Sequence, residues 1–136
     1  MKKIKKVVSV MLLTFIVASV VAVPVMAATP PFNYSWLMPK EFHGSARSTD
    51  LMLKTSEYTT PYVYPSINTL PTAYYLSTKQ LSTTNATNQL TLQKPGKQNF
   101  TWRSGYGGIN ISYCLTAYPN MTGEWEQYTI RGTWGH

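Results

Sequence analysis

The sequence has very little cysteine. Cys114 is the only one in 136 residues, which excludes an intramolecular disulfide. A chain without disulfides folds by burial of apolar side chains and by backbone pairing, unlike many small exported domains. Cys114 is either a reactive or intermolecular thiol, or a small residue half-buried in a strand. We favour the second interpretation because free cysteine usually packs as a small hydrophobic side chain.

Acidic residues and histidines are also scarce. The chain has five acidic residues and two histidines, whereas general acid–base catalysis needs titratable groups held in position. Glu41, His43 and Asp50 match no catalytic spacing, and Glu41 with His43 falls short of the four ligands of a closed metal site. We interpret Glu124 and Glu126 as a solvated strand face rather than the carboxylate pair of a glycosidase. The sequence therefore predicts no enzyme activity, no metal site and no cofactor.

Clustered basic residues are confined to the first few positions. The formal net charge is +7, but four of the 12 Lys and Arg residues lie at positions 2–6. The other eight and all five acidic residues lie beyond Ala27, which leaves +3 for that part of the chain. These eight cations form no run, so nucleic-acid binding lacks the basic surface that it needs. Mild attraction to an anionic cell envelope remains compatible with this charge.

The start of the chain has the layout of a secretory signal peptide. Basic residues at 2–6 precede an apolar run at 7–23, and Val25-Met26-Ala27 supplies small residues at a cleavage site. The alternative is an uncleaved membrane anchor, since the run is close to the shortest that spans a bilayer, about 17 residues. Pro24 and the small residues favour cleavage after Ala27. We therefore expect an extracellular protein with a signal peptide at 1–27 and a single β domain at 28–136.

Helical periodicity is missing, and alternation of apolar and polar residues takes its place. Residues 109–118 alternate along the run, with Ile109, Ile111, Tyr113, Leu115 and Ala117 on one face. Turn residues follow at 119–123, and 124–134 returns with Tyr128, Ile130 and Trp134 in phase. The pattern predicts that these two segments pair as a hairpin at the centre of a sheet.

Further short strands with turn signals between them are distributed along the chain. Residues 32–38 place Phe32, Tyr34, Trp36 and Met38 on one face, and 47–54 place Thr49, Leu51 and Leu53 in phase. Prolines bracket 62–64, which predicts a short strand at an edge or a bulge. Other predicted elements are strands at 72–77, 89–93 and 98–103, an exposed loop at 78–88 and a turn at 94–97. The fold class is all-β, a small antiparallel sandwich or open barrel of seven to eight strands.

Aromatic residues are the one abundant feature with a functional meaning. The chain has four tryptophans and ten tyrosines, more than a small sandwich buries, so some rings reach the surface. Exposed Tyr and Trp beside polar residues are typical of a carbohydrate platform or a protein interface. The alternative, which we weigh equally, is that these rings cover one end of the core. The candidate binding residues are Trp125, Tyr62 and Tyr64, together with the cations Lys94, Lys97 and Arg131.

Several short motifs carry a resemblance. They are Phe-x-Tyr-x-Trp at Phe32, Arg-Ser-Thr at Arg47, Tyr-Tyr-Leu-Ser at Tyr74 and the segment Tyr-Thr-Ile-Arg-Gly-Thr-Trp that begins at Tyr128. With the export signal, they resemble small secreted β-proteins of Gram-positive bacteria that have no assigned function. They are more distantly similar to lactococcin-like bacteriocins, exported all-β domains without a disulfide. The resemblance implies an extracellular β domain and supplies no site residue.

Three functions stay open on the sequence. The first is a secreted, non-enzymatic protein that acts at a bacterial cell envelope by binding a wall glycan or membrane surface, bacteriocin-like in the broad sense. The second is a carbohydrate- or cell-wall-binding module that only adheres. The third is a structural protein that self-associates through its sheet edges.

Overall fold

The structure, a computed structural model, describes residues 31–40 and 46–136. The predicted signal peptide and the Glu41–His43 pair lie outside these ranges. Within them the chain has no helix, and therefore none long and apolar enough to cross a membrane. Its nine strands are β1 (Phe32–Met38), β2 (Arg47–Ser48), β3 (Met52–Leu53), β4 (Tyr62–Ile67), β5 (Thr72–Ser77), β6 (Leu90–Leu92), β7 (Gln98–Asn99), β8 (Ser112–Pro119) and β9 (Tyr128–Gly135).

The strands form two antiparallel sheets packed as a sandwich, as the sequence predicts. One sheet has four strands in the order β1-β9-β4-β7. The other has five strands in the order β2-β8-β5-β6, with β3 also paired to β8. Each sheet turns one face to the core, so inward residues alternate with outward ones along most strands.

The core is built from the inward faces of both sheets and is unusually aromatic. Tyr34, Met38, Ile130 and Trp134 from the four-stranded sheet are buried against residues of the other sheet, notably Leu115. The ring centroids of Phe32 and Trp134 lie 5.0 Å apart, and those of Tyr34 and Trp36 5.1 Å apart. Such tilted pairs add to the free energy of burial, which suits a domain without a disulfide.

The predicted hairpin between the two longest strands is wrong. β8 and β9 lie in different sheets, because β8 pairs with β5 and β9 pairs with β1 and β4. Each strand lies in the interior of its own sheet, with a paired strand on both sides, and the two strands do not pair with each other. The connection from Asn120 to Gln127 crosses from one sheet to the other, as Greek-key connections do in β-sandwiches.

Two predicted strand phases also need correction. β8 starts at Ser112, and both Ile109 and Ile111 are exposed, because Asn110 has a positive φ of 60° and turns the chain just before the strand. The segment 47–54 is split into β2 and β3 rather than continuous. Leu51 and Leu53 point to solvent, whereas Met52 packs against the core.

Other strand predictions are confirmed. β1 and β5 have the predicted bounds, and β6 lies within 89–93. The predicted bulge in the proline-bracketed strand is present, since the β4–β9 register shifts between Pro65 and Ile67. The strand predicted at 98–103 is reduced to β7 and an isolated bridge between Thr87 and Trp102.

The outer face of the five-stranded sheet is covered by the chain itself. Its central strands are buried on both faces, because the segment 78–82 lies over them. The Tyr75 hydroxyl donates to the carbonyl oxygen of Ser82, and the Leu81 amide donates to the Ser48 hydroxyl. The loop predicted as exposed at 78–88 is thus a partial cover, with Ala86 and Thr87 fully buried. The four-stranded sheet has no such cover among the described residues.

Candidate functional site

The uncovered face of the four-stranded sheet is the candidate site, and we call it the outer face. Alternation along β1, β4 and β9 turns every second side chain to solvent there. The register aligns Asn33 with Thr133, and Thr133 with Tyr64. A second row aligns Ser35 with Arg131. The outer face consists of Asn33, Ser35, Leu37, Tyr62, Tyr64, Thr129, Arg131 and Thr133, with Lys97 beside it.

The aromatic ring of Tyr62 is fixed in position by contacts with β9 and with Lys97. A Cβ at Gly135 would lie 2.8 Å from Cε1 of Tyr62, so the ring rests directly on the β9 backbone. The ammonium of Lys97 lies 4.3 Å from the centroid of the same ring, within cation–π range. Partial burial raises the pKa of the Tyr62 hydroxyl. These contacts fix the position of a positive charge at the border of the outer face.

Tyr64 is the ring that this face offers to a ligand. It lies two residues along β4 from Tyr62, on the same side of the strand and about 7 Å away, and 50% of it is exposed. Arg131 lies on the neighbouring strand, and its Nε donates to the Ser35 hydroxyl over 3.4 Å. The Arg131 side chain therefore extends toward β1, across the face, and leaves the Tyr64 ring uncovered.

The outer face is cationic because no acidic residue belongs to it. None of the nine described strands contains Asp or Glu. Among the described residues the one ion pair joins Lys40 to Glu126, 3.2 Å apart at the end of the sandwich where β1 stops. Lys97 and Arg131 thus have no carboxylate partner in that part of the chain. Hydroxyl and amide side chains of β1 and β9 lie around Arg131, which gives a polar face with a positive potential.

The structure separates two of the predicted binding residues from the others. Trp125 lies in the β8–β9 connection, half-buried against the core, and its indole N–H donates to the carbonyl oxygen of Pro39 over 2.8 Å. Lys94 is exposed in the turn that leads to β7. Tyr62, Tyr64, Lys97 and Arg131 come together, whereas Trp125 and Lys94 lie elsewhere.

Sequence reasoning missed the polar members of the outer face. Asn33, Ser35 and Thr133 lie within the short motifs at Phe32 and Tyr128, but those motifs assign no binding role, so the sequence gives no reason to select them. Alternation could have found them, because the inward phase of Phe32, Tyr34 and Trp36 places the residues between them outward. What alternation cannot supply is the order of the strands, which brings Thr133 next to Tyr64.

Titratable groups outside the face do not converge on a site. The described residues contain no group of three or more His, Cys, Asp or Glu side chains that could hold a metal ion. Glu124 and Glu126 are both exposed in the connection between the sheets, on no strand. Cys114 is a small residue in a strand, as we expected, but it is fully buried rather than half-buried, and its thiol lies 3.4 Å from the Ser77 hydroxyl.

A buried hydroxyl cluster between the sheets is the second feature that the sequence did not indicate. Thr72 and Tyr128 hydroxyls lie 2.9 Å apart, and Thr72 also donates to the side-chain oxygen of Asn68 over 3.1 Å. The hydroxyls of Tyr34 and Tyr74 are buried beside this pair, and each influences the pKa of the other. Burial raises the pKa of both tyrosines well above the ordinary range. This cluster is enclosed in the core, so it lies out of reach of an external ligand.

Comparison with known proteins adds no further constraint on the site. The chain has no match among protein-family models, curated proteins or solved structures. The resemblance to secreted β-proteins of Gram-positive bacteria stays a prediction from short motifs. The geometry and charge of the outer face are therefore the features that indicate a function.

Proposed function

We propose that this protein is a secreted, non-enzymatic binding protein that attaches to a glycan of a bacterial cell wall through the outer face. The observation that carries the proposal is the combination of one half-exposed tyrosine ring, Tyr64, with two cations that have no carboxylate partner among the described residues, on a sheet face that those residues leave uncovered. The export signal predicted at 1–27 supports an extracellular site of action.

The chemistry of the outer face fits a sugar polymer. A tyrosine ring offers a flat apolar surface on which the C–H face of a sugar can pack, and it loses little conformational entropy on binding. Side chains of Asn33, Ser35 and Thr133 provide hydrogen-bond donors and acceptors for sugar hydroxyls. Lys97 and Arg131 would favour polymers that carry phosphate or carboxylate groups. A flat sheet face also suits a long chain better than a small molecule, which prefers a concave pocket.

The test is co-sedimentation of the purified protein with isolated cell walls, comparing wild type with Tyr64→Ala. We expect the substitution to weaken binding by about 30-fold, because loss of a hot-spot aromatic typically costs about 2 kcal/mol. The fold should be retained, since half of the ring is already in solvent. Its melting temperature is measured in parallel.

Tyr58→Ala is the matched control, because Tyr58 is 87% exposed in the turn before β4 and belongs to no strand of the outer face. It should bind walls like wild type. Equal binding by wild type and Tyr64→Ala would contradict the proposal, as would the absence of binding to walls from any bacterium tested.

A bacteriocin-like activity and simple adhesion both begin with this binding step, but only the bacteriocin-like activity kills the cell that is bound. The mildly cationic face is compatible with both. A killing assay against related bacteria separates them, because only the first reduces viable counts. Tyr64→Ala should reduce wall binding in either case, so the binding proposal is tested independently of toxicity.

A further inference from the structure

The free edge of β1 differs from every other sheet edge of this sandwich. β1 is seven residues long and ends the four-stranded sheet, and it pairs with β9 on one side alone among the described strands. Proteins usually protect such an edge with short strands, charges, prolines or bulges, because unpaired backbone groups recruit another strand. β1 contains no charged residue and no proline, and its register with β9 is unbroken from Phe32 to Met38.

The other three edges are short or broken, whereas β1 is long and has prolines only beyond its two ends, at Pro31 and Pro39. β7 has two residues and follows a turn with Lys94, Pro95 and Lys97, and β6 has three residues. The edge formed by β2 and β3 is broken between Ser48 and Met52. The contrast within one molecule indicates that β1 is kept open for pairing.

We infer that β1 pairs antiparallel with β1 of a second copy of this chain, around a twofold axis through Ser35. This register aligns all seven residues, with Tyr34 opposite Trp36 of the partner copy and Phe32 opposite its Met38. Both pairs fall on the inner face, where aromatic cross-strand pairs stabilise a sheet. The inward positions Phe32, Tyr34, Trp36 and Met38 are all apolar, so the inner face of the strand reads alike in both directions, whereas on the outer face Asn33 lies opposite Leu37. The symmetry of the inner face favours a second copy over an unrelated peptide.

The space beside β1 fits this arrangement. A groove of about 480 Å³ lies along the strand, between it and the β2–β3 edge. Half-buried Phe32 and Trp36 line it together with Met52, so pairing would remove apolar surface from water. Asp50 lines it as well, and Arg47 lies on the same edge with the opposite charge.

Electrostatics does not oppose the dimer. The charge closest to the axis on the outer face is Arg131, one strand in from the edge. Two copies of this residue would be three strand spacings apart, about 14 Å. At physiological ionic strength a separation beyond about 8 Å is largely screened. A twofold axis perpendicular to the sheet also leaves both outer faces on the same side, so the dimer presents two copies of the face to one surface.

The test places charge at the axis, and the melting temperature reports the cost of a second cation opposite Arg131 within one copy. Ser35 is exposed and lies opposite its own copy in the proposed dimer, so Ser35→Lys brings two ammonium groups together. Sedimentation equilibrium should show a wild-type dimer and a dissociation constant raised by about fivefold or more in Ser35→Lys. Thr129→Lys is the control, because Thr129 is exposed on the same face but on β9, and its dimer should equal that of wild type.

Charge exchange then tests the register. Ser35→Asp should weaken its own dimer in the same way, and a mixture of Ser35→Lys and Ser35→Asp should form a heterodimer. Three results would overturn the inference: a wild-type monomer at all concentrations, a dimer insensitive to Ser35→Lys, or no heterodimer in the mixture. A monomer would leave the wall-binding proposal unaffected.

Discussion

Gly132 occupies the point where β9 comes closest to both of its neighbours. A Cβ at this position would lie 2.8 Å from the Pro65 Cα and 2.8 Å from the Tyr34 hydroxyl oxygen. It would come closer still to the carbonyl oxygen of Tyr64, which is backbone and cannot turn aside. The sheet around the outer face therefore depends on the missing side chain at Gly132.

Gly132→Ala should destabilise the protein by about 3 kcal/mol, because overpacking of this size displaces backbone. Urea unfolding gives the free energy of unfolding for comparison with wild type. Gly108→Ala is the control, since its Cβ would meet only the end of the Ile111 side chain, 3.3 Å away. It should change stability by about 0.5 kcal/mol or less. Equal losses in the two variants would mean that β9 shifts to admit a methyl group.

At the scale of the element, β8 shows that alternation predicts which side chains are buried within a strand but not where the strand begins. The sequence places Leu115 on the inner face, and it is fully buried. The same pattern continues back to Ile111, which the structure leaves 37% exposed, just before the strand begins. Alternation identifies faces within a strand, but the positive φ of Asn110, which ends the pattern, is not visible in it.

Leu115→Asp should unfold the protein, since an unpaired charge in the core costs several kcal/mol against a total stability of about 5–15 kcal/mol. Ile111→Asp should cost about 1 kcal/mol or less, because its side chain already contacts water. Circular dichroism and thermal melting distinguish these outcomes. If Ile111→Asp also unfolds the protein, Ile111 is buried and the strand is longer, as the sequence predicts.

Strand existence could be predicted from local sequence, whereas strand partners could not. The bounds of β1 and β5 follow from alternation and flanking prolines, and the bulge in β4 follows from Pro65. The division of β8 and β9 between two sheets depends on pairing with strands that are distant in the sequence. The turn residues at 119–123 are compatible with a hairpin and with a crossing between sheets, so they do not predict which one forms. The candidate site shows the same limit. Tyr62 and Tyr64 are two residues apart in sequence, but their proximity to Arg131 requires β9 to lie beside β4.

At the scale of the whole molecule, the two sheets differ in what they expose. The five-stranded sheet is covered by the segment 78–82, and its outward hydroxyls bond to one another, as Ser48 does with Thr116 over 2.8 Å. The four-stranded sheet leaves its outer face and the β1 edge open. Both proposals therefore concern the same sheet, one its face and the other its edge. A dimer would also bind a polymer at two points, which raises avidity without a new contact.

The stability of the whole domain should depend on pH through His136. Its ring is buried beside Trp134 and Tyr113, with centroids 5.5 and 5.8 Å away. The Nε2 atom lies 3.0 Å from the Met52 carbonyl oxygen, and Nδ1 has no hydrogen-bond partner among the described residues. Burial lowers the pKa of His136, and the nearby Lys54 ammonium lowers it further, whereas the bond to Met52 opposes the shift.

A lowered pKa means that the unfolded chain takes up a proton more readily than the folded one. Above the unfolded pKa of about 6.5 both states are neutral at this group, and it has no effect on stability. As the pH falls below that value, the free energy of unfolding should decrease by up to about 1.4 kcal/mol per pH unit. Urea unfolding at several pH values between 8 and 5 measures the slope, and His136→Gln should flatten it. A slope that persists in His136→Gln but disappears in His43→Gln would assign the effect to the other histidine.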